Sequence, residues 1–355
     1  MYTVRALACL SIVWLHSMQA VARLHPDMTG ELWDSVAIIF SVGTPVFVMV
    51  TAFLLGYAYG VSRPLPTGTF RRRCAVLLPP FVAMAVFYGL LSWYIDELSW
   101  AGFVGQVLAN VFLASYHGYF ILIVLQFVAI FPFCMRLVRR FGWPVVFVCG
   151  ALANVAWLGF FNLVPAQSGW EALWERISWL PFPGWILYFL IAVYFGMNYP
   201  KVREQLSKHQ VFLYASTLGV AAGIVLLHYT RVAPLDSSKR LDMLVLAPLV
   251  FLCFFALGRR GNSPGWLVER VAEYSFGIYL LHFFAIAVMD SFAEPLLGAL
   301  GPLLYAAVLM CCAVVVAAAI TVVIQSMPGG ALVVGPPGRR TAGGARRRNA
   351  PRQTQ

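Results

Sequence analysis

Ten apolar runs dominate the chain, each long or nearly long enough to cross a lipid bilayer as a helix. They cover approximately 4–22, 35–59, 74–95, 118–138, 143–164, 182–199, 211–230, 243–258, 268–289 and 302–324. A hydrocarbon core about 30 Å thick takes roughly 20 helical residues at about 1.5 Å each. Across all 355 residues, 61% are hydrophobic and 11% charged, whereas soluble domains average about 45–50% and about 25%. The surplus apolar surface must face lipid. A multi-pass protein of the cell membrane follows, and soluble, disordered, collagenous and disulfide-rich classes are excluded.

Basic residues then set the count and orientation of the spans. An eleventh stretch, 101–115, is short and carries Gln106 and Asn110. With the amino terminus in the cytoplasm and this stretch kept from crossing, 20 of the 25 Lys and Arg residues fall on the cytoplasmic side. A crossing there inverts every later loop and puts most basic residues on the wrong face. The expectation is an all-α integral membrane bundle of ten transmembrane helices with both termini cytoplasmic and no cleavable leader. A transmembrane domain spans 1–325. A basic, disordered tail over 326–355, with six arginines in its last 17 residues, rests on anionic lipid. The net charge of +11 is thus a topology signal rather than a nucleic-acid surface. The seven cysteines read as small buried hydrophobes, with no metal set, and no phosphate loop of the Walker type is present.

An ionisable side chain in hydrocarbon costs about 2.5–3.5 kcal/mol or more, so each one inside a run is a candidate for function. Arg5 and His16 are eleven positions apart, which on a helix leaves them about 20° from eclipsed and about 16 Å apart along one face. Imidazole suits proton transfer near neutral pH; the pair equally reads as a topology anchor and a hydrogen-bonded bundle histidine. Ser275, Tyr279 and His282 share one helix face, lining a polar cavity or bonding between helices. His117, Tyr119 and Gln126 stand at the outer entrance of the fourth run, as substrate contacts or as an aromatic belt. Arg71, Arg72 and Arg73 suit a phosphate-bearing ligand, or anchor topology. Trp170 and Trp174, with Glu171, Glu175 and Trp179, suit stacking on sugar rings, or form an interfacial helix.

These blocks resemble the acyltransferase 3 family of integral-membrane acyltransferases. Arg5 through His16 resembles its arginine, ten residues, histidine signature, and 43–55 its second-helix block. The stretch 274–282 resembles its Ser-x-Gly-x-Tyr-Leu-x-His block. His117 to Phe120, Gln126-Phe127 and Phe131-Pro132 look most like the intercellular-adhesin, poly-N-acetylglucosamine succinyltransferase-like branch. Tyr2 stands where family members often carry an acidic residue, and Val76 where a second loop arginine often follows.

The resemblance implies transfer of an acetyl or succinyl group from cytoplasmic acyl-CoA to a hydroxyl of an extracellular glycan. His16 is then the general base or the transient acyl carrier. Arg5 with Arg71, Arg72 and Arg73 holds the CoA phosphates. His282 or Tyr279 polarises the thioester or orients the acceptor. Partners are membrane lipid, the glycan and a polysaccharide synthase complex; no metal enters. Two competing classes are a glycan exporter or proton-coupled transporter without covalent chemistry, and a structural subunit of such a complex. Against the transporter stand the absence of repeats and of a paired intramembrane carboxylate; the subunit leaves the Arg5–His16 stripe unexplained.

Overall fold

The computed structural model describes residues 1–233, 238–258, 265–290 and 300–337. Arg259, Arg260 and the arginines of the carboxyl-terminal tail, counted above for topology, lie outside the described residues. Among the described residues the regular structure is helical throughout, with no strand. α1 is Tyr2–Leu24. A short α2, Glu31–Ala37, passes through a tighter 3₁₀ turn into α3, Gly43–Ala58. α4 is Thr69–Ile95, α5 Trp100–Phe112 and α6 Tyr119–Leu163. α7 (Glu171–Trp179) and α8 (Ile186–Met197) meet at a sharp break. α9 (Tyr199–Lys208), α10 (Gln210–Tyr229), α11 (Met243–Leu257), α12 (Trp266–Asp290) and α13 (Pro302–Ser326) follow.

Seven helical stretches among the described residues are long and apolar enough to cross a membrane: α1, α2–α3, α4, α6, α10, α12 and α13. The segments Glu171–Trp179 and Phe182–Met197, bent by 55°, form an eighth if taken together, and α5 and α11 are shorter apolar helices. This is an all-helical, multi-pass membrane protein. α6 is 45 residues long, about 68 Å at the usual rise and more than twice the hydrocarbon thickness. It breaks at Gly142, whose φ of 79° and ψ of 165° are non-helical. Glycine takes that left-handed φ without a Cβ penalty, and Pro144 follows it.

Two apolar cores divide the bundle. One joins α3, α6, α8 and α11 around Phe53, Phe127, Phe189 and Phe251. Its tightest pair, α3 against α8, rests on Gly56 and Gly196: a Cβ on either would fall 2.2 Å from a backbone oxygen of the other helix. Small residues at such crossings let helix backbones touch in lipid, where packing replaces the hydrophobic drive. The other core joins α1, α4, α12 and α13 around Phe81, Ile278, Tyr305 and Leu309. α1 feeds both, with Val4 and Ala8 in the first and Cys9, Val13 and Met18 in the second. α1 is therefore the seam.

α5 runs back along α4 to its midpoint, where Asn110 Nδ2 donates to Ala85 O at 2.9 Å. Irregular backbone then covers 113–118, with Ala114 fully buried at φ 48°. Non-helical chain is tolerated at membrane depth only inside protein, and Tyr116, donating to Phe81 O at 2.7 Å, fixes it there. The packed chain also continues past the domain end expected at 325. Residues 327–337 turn into a short helix, α14 (Ala331–Val334), against α4, with Val334 buried and Gln325 Nε2 donating to Gly335 O at 3.0 Å.

Candidate active site

α1 carries Arg5 and His16; α12 carries Ser275, Tyr279 and His282; the irregular stretch before α6 delivers His117. Three imidazoles converge at the seam. The His282 ring centroid lies 5.2 Å from that of His16 and 5.2 Å from that of His117. The Phe283 ring packs on both, at 4.3 Å from His16 and 4.8 Å from His117. Tyr279 closes the group, its hydroxyl donating to His117 O and its ring 6.1 Å from His282.

Hydrogen bonding fixes which ring nitrogen is basic. A carbonyl only accepts, so His117 Nε2 donates to Leu280 O at 3.0 Å and His282 Nδ1 donates to Tyr279 O at 2.7 Å. His282 Nε2 is then an acceptor, buried and without a protein partner. His16 Nδ1 lies 2.8 Å from Gln19 Oε1, one turn along α1. Donation from Nδ1 leaves His16 Nε2 with a free lone pair.

Cavities lie on either side of this layer. One, of about 740 Å³, has His16, Tyr88 and Phe283 in its wall and Arg23, His25, Asp290 and Tyr305 among its polar groups. Tyr305 donates to Asp290 Oδ1 at 2.5 Å. The other, of about 270 Å³, is lined by Arg5, Arg73, Ser275 and Tyr279 among apolar side chains including Phe47 and Leu54. Arg5 Nη2 donates to Ser275 Oγ at 3.0 Å, which in turn donates to Ala272 O at 2.9 Å. The two share no lining residue. Tyr279 reaches one, His16 the other, and His282 stands between them.

Several sequence candidates fall elsewhere. Arg71 and Arg72 are exposed and absent from the arginine cavity; Arg72 Nη2 donates to Thr69 Oγ1 at 3.3 Å. Arg73 is exposed as well, but it alone of the three lines the arginine cavity. Gln126 spans the break before α8, donating to Leu180 O and accepting from Phe182 N, both at 2.9 Å. Tyr119 packs its ring 5.6 Å from Trp179. Trp174 packs on Phe160 and Phe161, and Trp170 is exposed at the start of α7. None of these four lines either cavity. Gln19, Tyr88, Asp290 and Tyr305 were not singled out from the sequence. Gln19 and Asp290 carry a faint signal, as polar residues in or at the end of apolar runs. Among the described residues no three His, Cys, Asp or Glu side chains are grouped to hold a metal ion.

The sequence model of a family described as an acyltransferase domain matches residues 3–322. The chain belongs to the acyltransferase 3 family. This family member is 31% identical over 288 residues to a Bacillus subtilis protein named as a membrane-bound acyltransferase, YfiQ, with 79% of each chain covered. It is 24% identical over 294 residues to a Staphylococcus aureus protein named for poly-beta-1,6-N-acetyl-D-glucosamine export, covering 78% of this chain and 79% of that one. A Staphylococcus epidermidis protein of the same name is 23% identical over 290 residues, with 78% of each covered. No solved structure matches this acyltransferase-family chain.

Proposed function

We propose that this membrane acyltransferase moves an acetyl or succinyl group from cytoplasmic acyl-CoA to a hydroxyl of an extracytoplasmic glycan. The observation that carries the reading is the pair of cavities set back to back across the histidine layer, with Arg5 in one and His16 in the other on a single helix. The arginine cavity faces the cytoplasm and takes the donor, with Arg5 and Arg73 meeting its anionic groups. The histidine cavity faces outward and takes the acceptor, in a space within the usual 300–1,000 Å³ of ligand sites. His16 Nε2 removes the proton as the glycan oxygen attacks the thioester carbon. The C–S bond breaks, and the proton passes to the departing sulfur, leaving the glycan ester and free CoA thiol. The imidazolium of His16 returns that proton to the sulfur as general acid.

The ten-span topology belongs to this proposal. α6 crosses twice by folding at Gly142, the bent pair before α9 crosses once, and α11 crosses although short. The basic loops and both termini then face the cytoplasm.

The staphylococcal relatives' names favour a second reading, export of a finished polysaccharide. An exporter needs a passage wide enough for a whole sugar chain through the buried His282 layer that separates the two cavities, whereas acyl transfer needs that layer to admit only a narrow thioester arm. Purified protein in nanodiscs, given radiolabelled acetyl-CoA or succinyl-CoA and an oligosaccharide, is the test. Transfer of label to the sugar, reduced roughly 10²–10⁴-fold in His16→Ala, supports the enzyme. No transfer with either donor, or full transfer by well-folded His16→Ala, refutes this mechanism.

A further inference from the structure

A third cavity, of about 400 Å³, lies away from the histidine layer among the end of α8, α9, the start of α10 and α11. Its depth is apolar: Phe195, Leu213, Leu249 and Leu252 wall it. Its polar lining is concentrated at one end, where Lys201, Gln205 and His209 stand on α9 and at the entry to α10. Ser216, seven residues further along α10 from His209, also lines it, so the cavity reaches about 10 Å down the helix. Leu249 sits eight residues short of the end of α11, again about 12 Å into the bundle.

α9 itself is built for an interface. Ten residues are too few to cross a membrane, Leu206 is buried, and Lys201, Gln205 and Lys208 are exposed. No Asp or Glu lines the cavity; Glu204, on the same helix, is drawn away to Lys208 at 2.6 Å. The mouth is thus cationic and the throat apolar, which is the chemistry of one amphiphile rather than of a soluble anion or a protein helix. α10 gives the occupant a structural purpose: it buries only Leu213, Ile224 and His228, leaving Val211, Phe212 and Leu218 more than 70% exposed.

We propose that this groove is a binding site for one anionic phospholipid, its phosphate at Lys201 and His209 and an acyl chain between α10 and α11, where it ties α10 to the bundle. Basic pockets between transmembrane helices are a known means of lipid headgroup capture. The inference is independent of the acyl-transfer chemistry.

Full-length protein in neutral detergent tests it by native mass spectrometry and by thermal unfolding. The probes are phosphatidylglycerol, phosphatidylcholine with the same chains, and glycerol 3-phosphate. The expected result is saturable retention of one phosphatidylglycerol with a rise in Tm, little effect of phosphatidylcholine, and none of glycerol 3-phosphate. Lys201→Gln should weaken phosphatidylglycerol binding roughly fivefold, while Lys208→Gln, on the same helix but outside the groove, should not. Equal effects of the two phospholipids, equal losses in the two variants, or a matching effect of glycerol 3-phosphate would overturn the site. Should Lys201→Gln fail to fold, the three-probe comparison on the unaltered protein decides alone.

Discussion

Gln19 gives a quantitative handle on whether His16 is the base. Its Oε1 lies 2.8 Å from His16 Nδ1, and its predicted role is to hold the imidazole in the tautomer whose Nε2 can accept a proton. Gln19→Leu removes one neutral hydrogen bond while keeping side-chain bulk. Such a bond is worth about 0.5–1.5 kcal/mol, so kcat/KM for acyl transfer should fall roughly 2- to 13-fold, far less than the roughly 10²–10⁴-fold expected of His16→Ala. The decisive number comes from the double-mutant cycle. If Gln19 acts only through the imidazole, Gln19→Leu in a His16→Ala background costs nothing further, and the coupling energy equals the whole effect of the single change. Transfer of labelled acyl group to an oligosaccharide, measured in nanodiscs for the four proteins, supplies that energy. An equal loss from Gln19→Leu in both backgrounds refutes the argument, because Gln19 would then be touching the acceptor or supporting the fold.

Three further outcomes are expected. Arg5→Ala should raise KM for acyl-CoA by roughly 10- to 150-fold, the worth of about 1.5–3 kcal/mol for a charge-assisted bond. Arg5→Lys should lie between, since it keeps the charge and loses the fork; equal KM values in all three proteins would remove Arg5 from donor binding. Gln126→Ala should lower thermal stability by about 1–3 kcal/mol through the backbone groups it leaves unpaired at the break before α8, with KM for the donor unchanged; a KM effect without a stability effect would restore Gln126 to the substrate site. Arg140→Cys should react with a membrane-impermeant maleimide only after the cytoplasmic face is opened. Labelling of intact cells would invert the topology.

Much of the fold is legible in the sequence because apolar run length is a direct physical constraint. α1, α4, α10, α12 and α13 fall where 20-residue runs demand them. The shortness of α5 is legible too, and its Gln106 and Asn110, which set it apart from the other apolar runs, bond one another at 3.0 Å. The Arg5–His16 stripe and the Ser275–Tyr279–His282 face follow from helical spacing alone, as each needs only one helix to be seen. The cavities do not, because their walls come from several helices. Asp290 and Tyr305 meet across α12 and α13, and Gln126 meets a break 54 and 56 residues away. Arg71–Arg73 fail for a related reason. Sequence gives three adjacent charges one role, whereas a helix turns them about 100° apart and brings only Arg73 into the cavity.

The seam position of α1 bears on what kind of donor the site can use. Arg5 and His16 ride on one continuous helix, so the separation between anion-binding group and base is set at about 16 Å by the rise of the backbone and does not adjust to the ligand. Arg5 is further held by Ser275 of α12, the helix that also carries His282. A compact activated acyl group, with its phosphate bonded directly to the acyl carbon, cannot touch Arg5 and react beside His16 at once. A donor that carries its acyl group on a long, narrow arm remote from its phosphates can, once the arm passes from the cavity lined by Arg5 and Tyr279 across the His282 layer to His16. The proposed reaction therefore expects acyl-CoA to outperform acyl phosphates, with the arm as part of the recognition. Acetyl phosphate should serve poorly as a donor even at high concentration. Lengthening α1 by one residue between Arg5 and His16, which rotates them about 100° out of line, should abolish transfer from acetyl-CoA while leaving both side chains present. Efficient turnover with acetyl phosphate, or an active insertion variant, would mean that the two residues do not act as ends of one ruler.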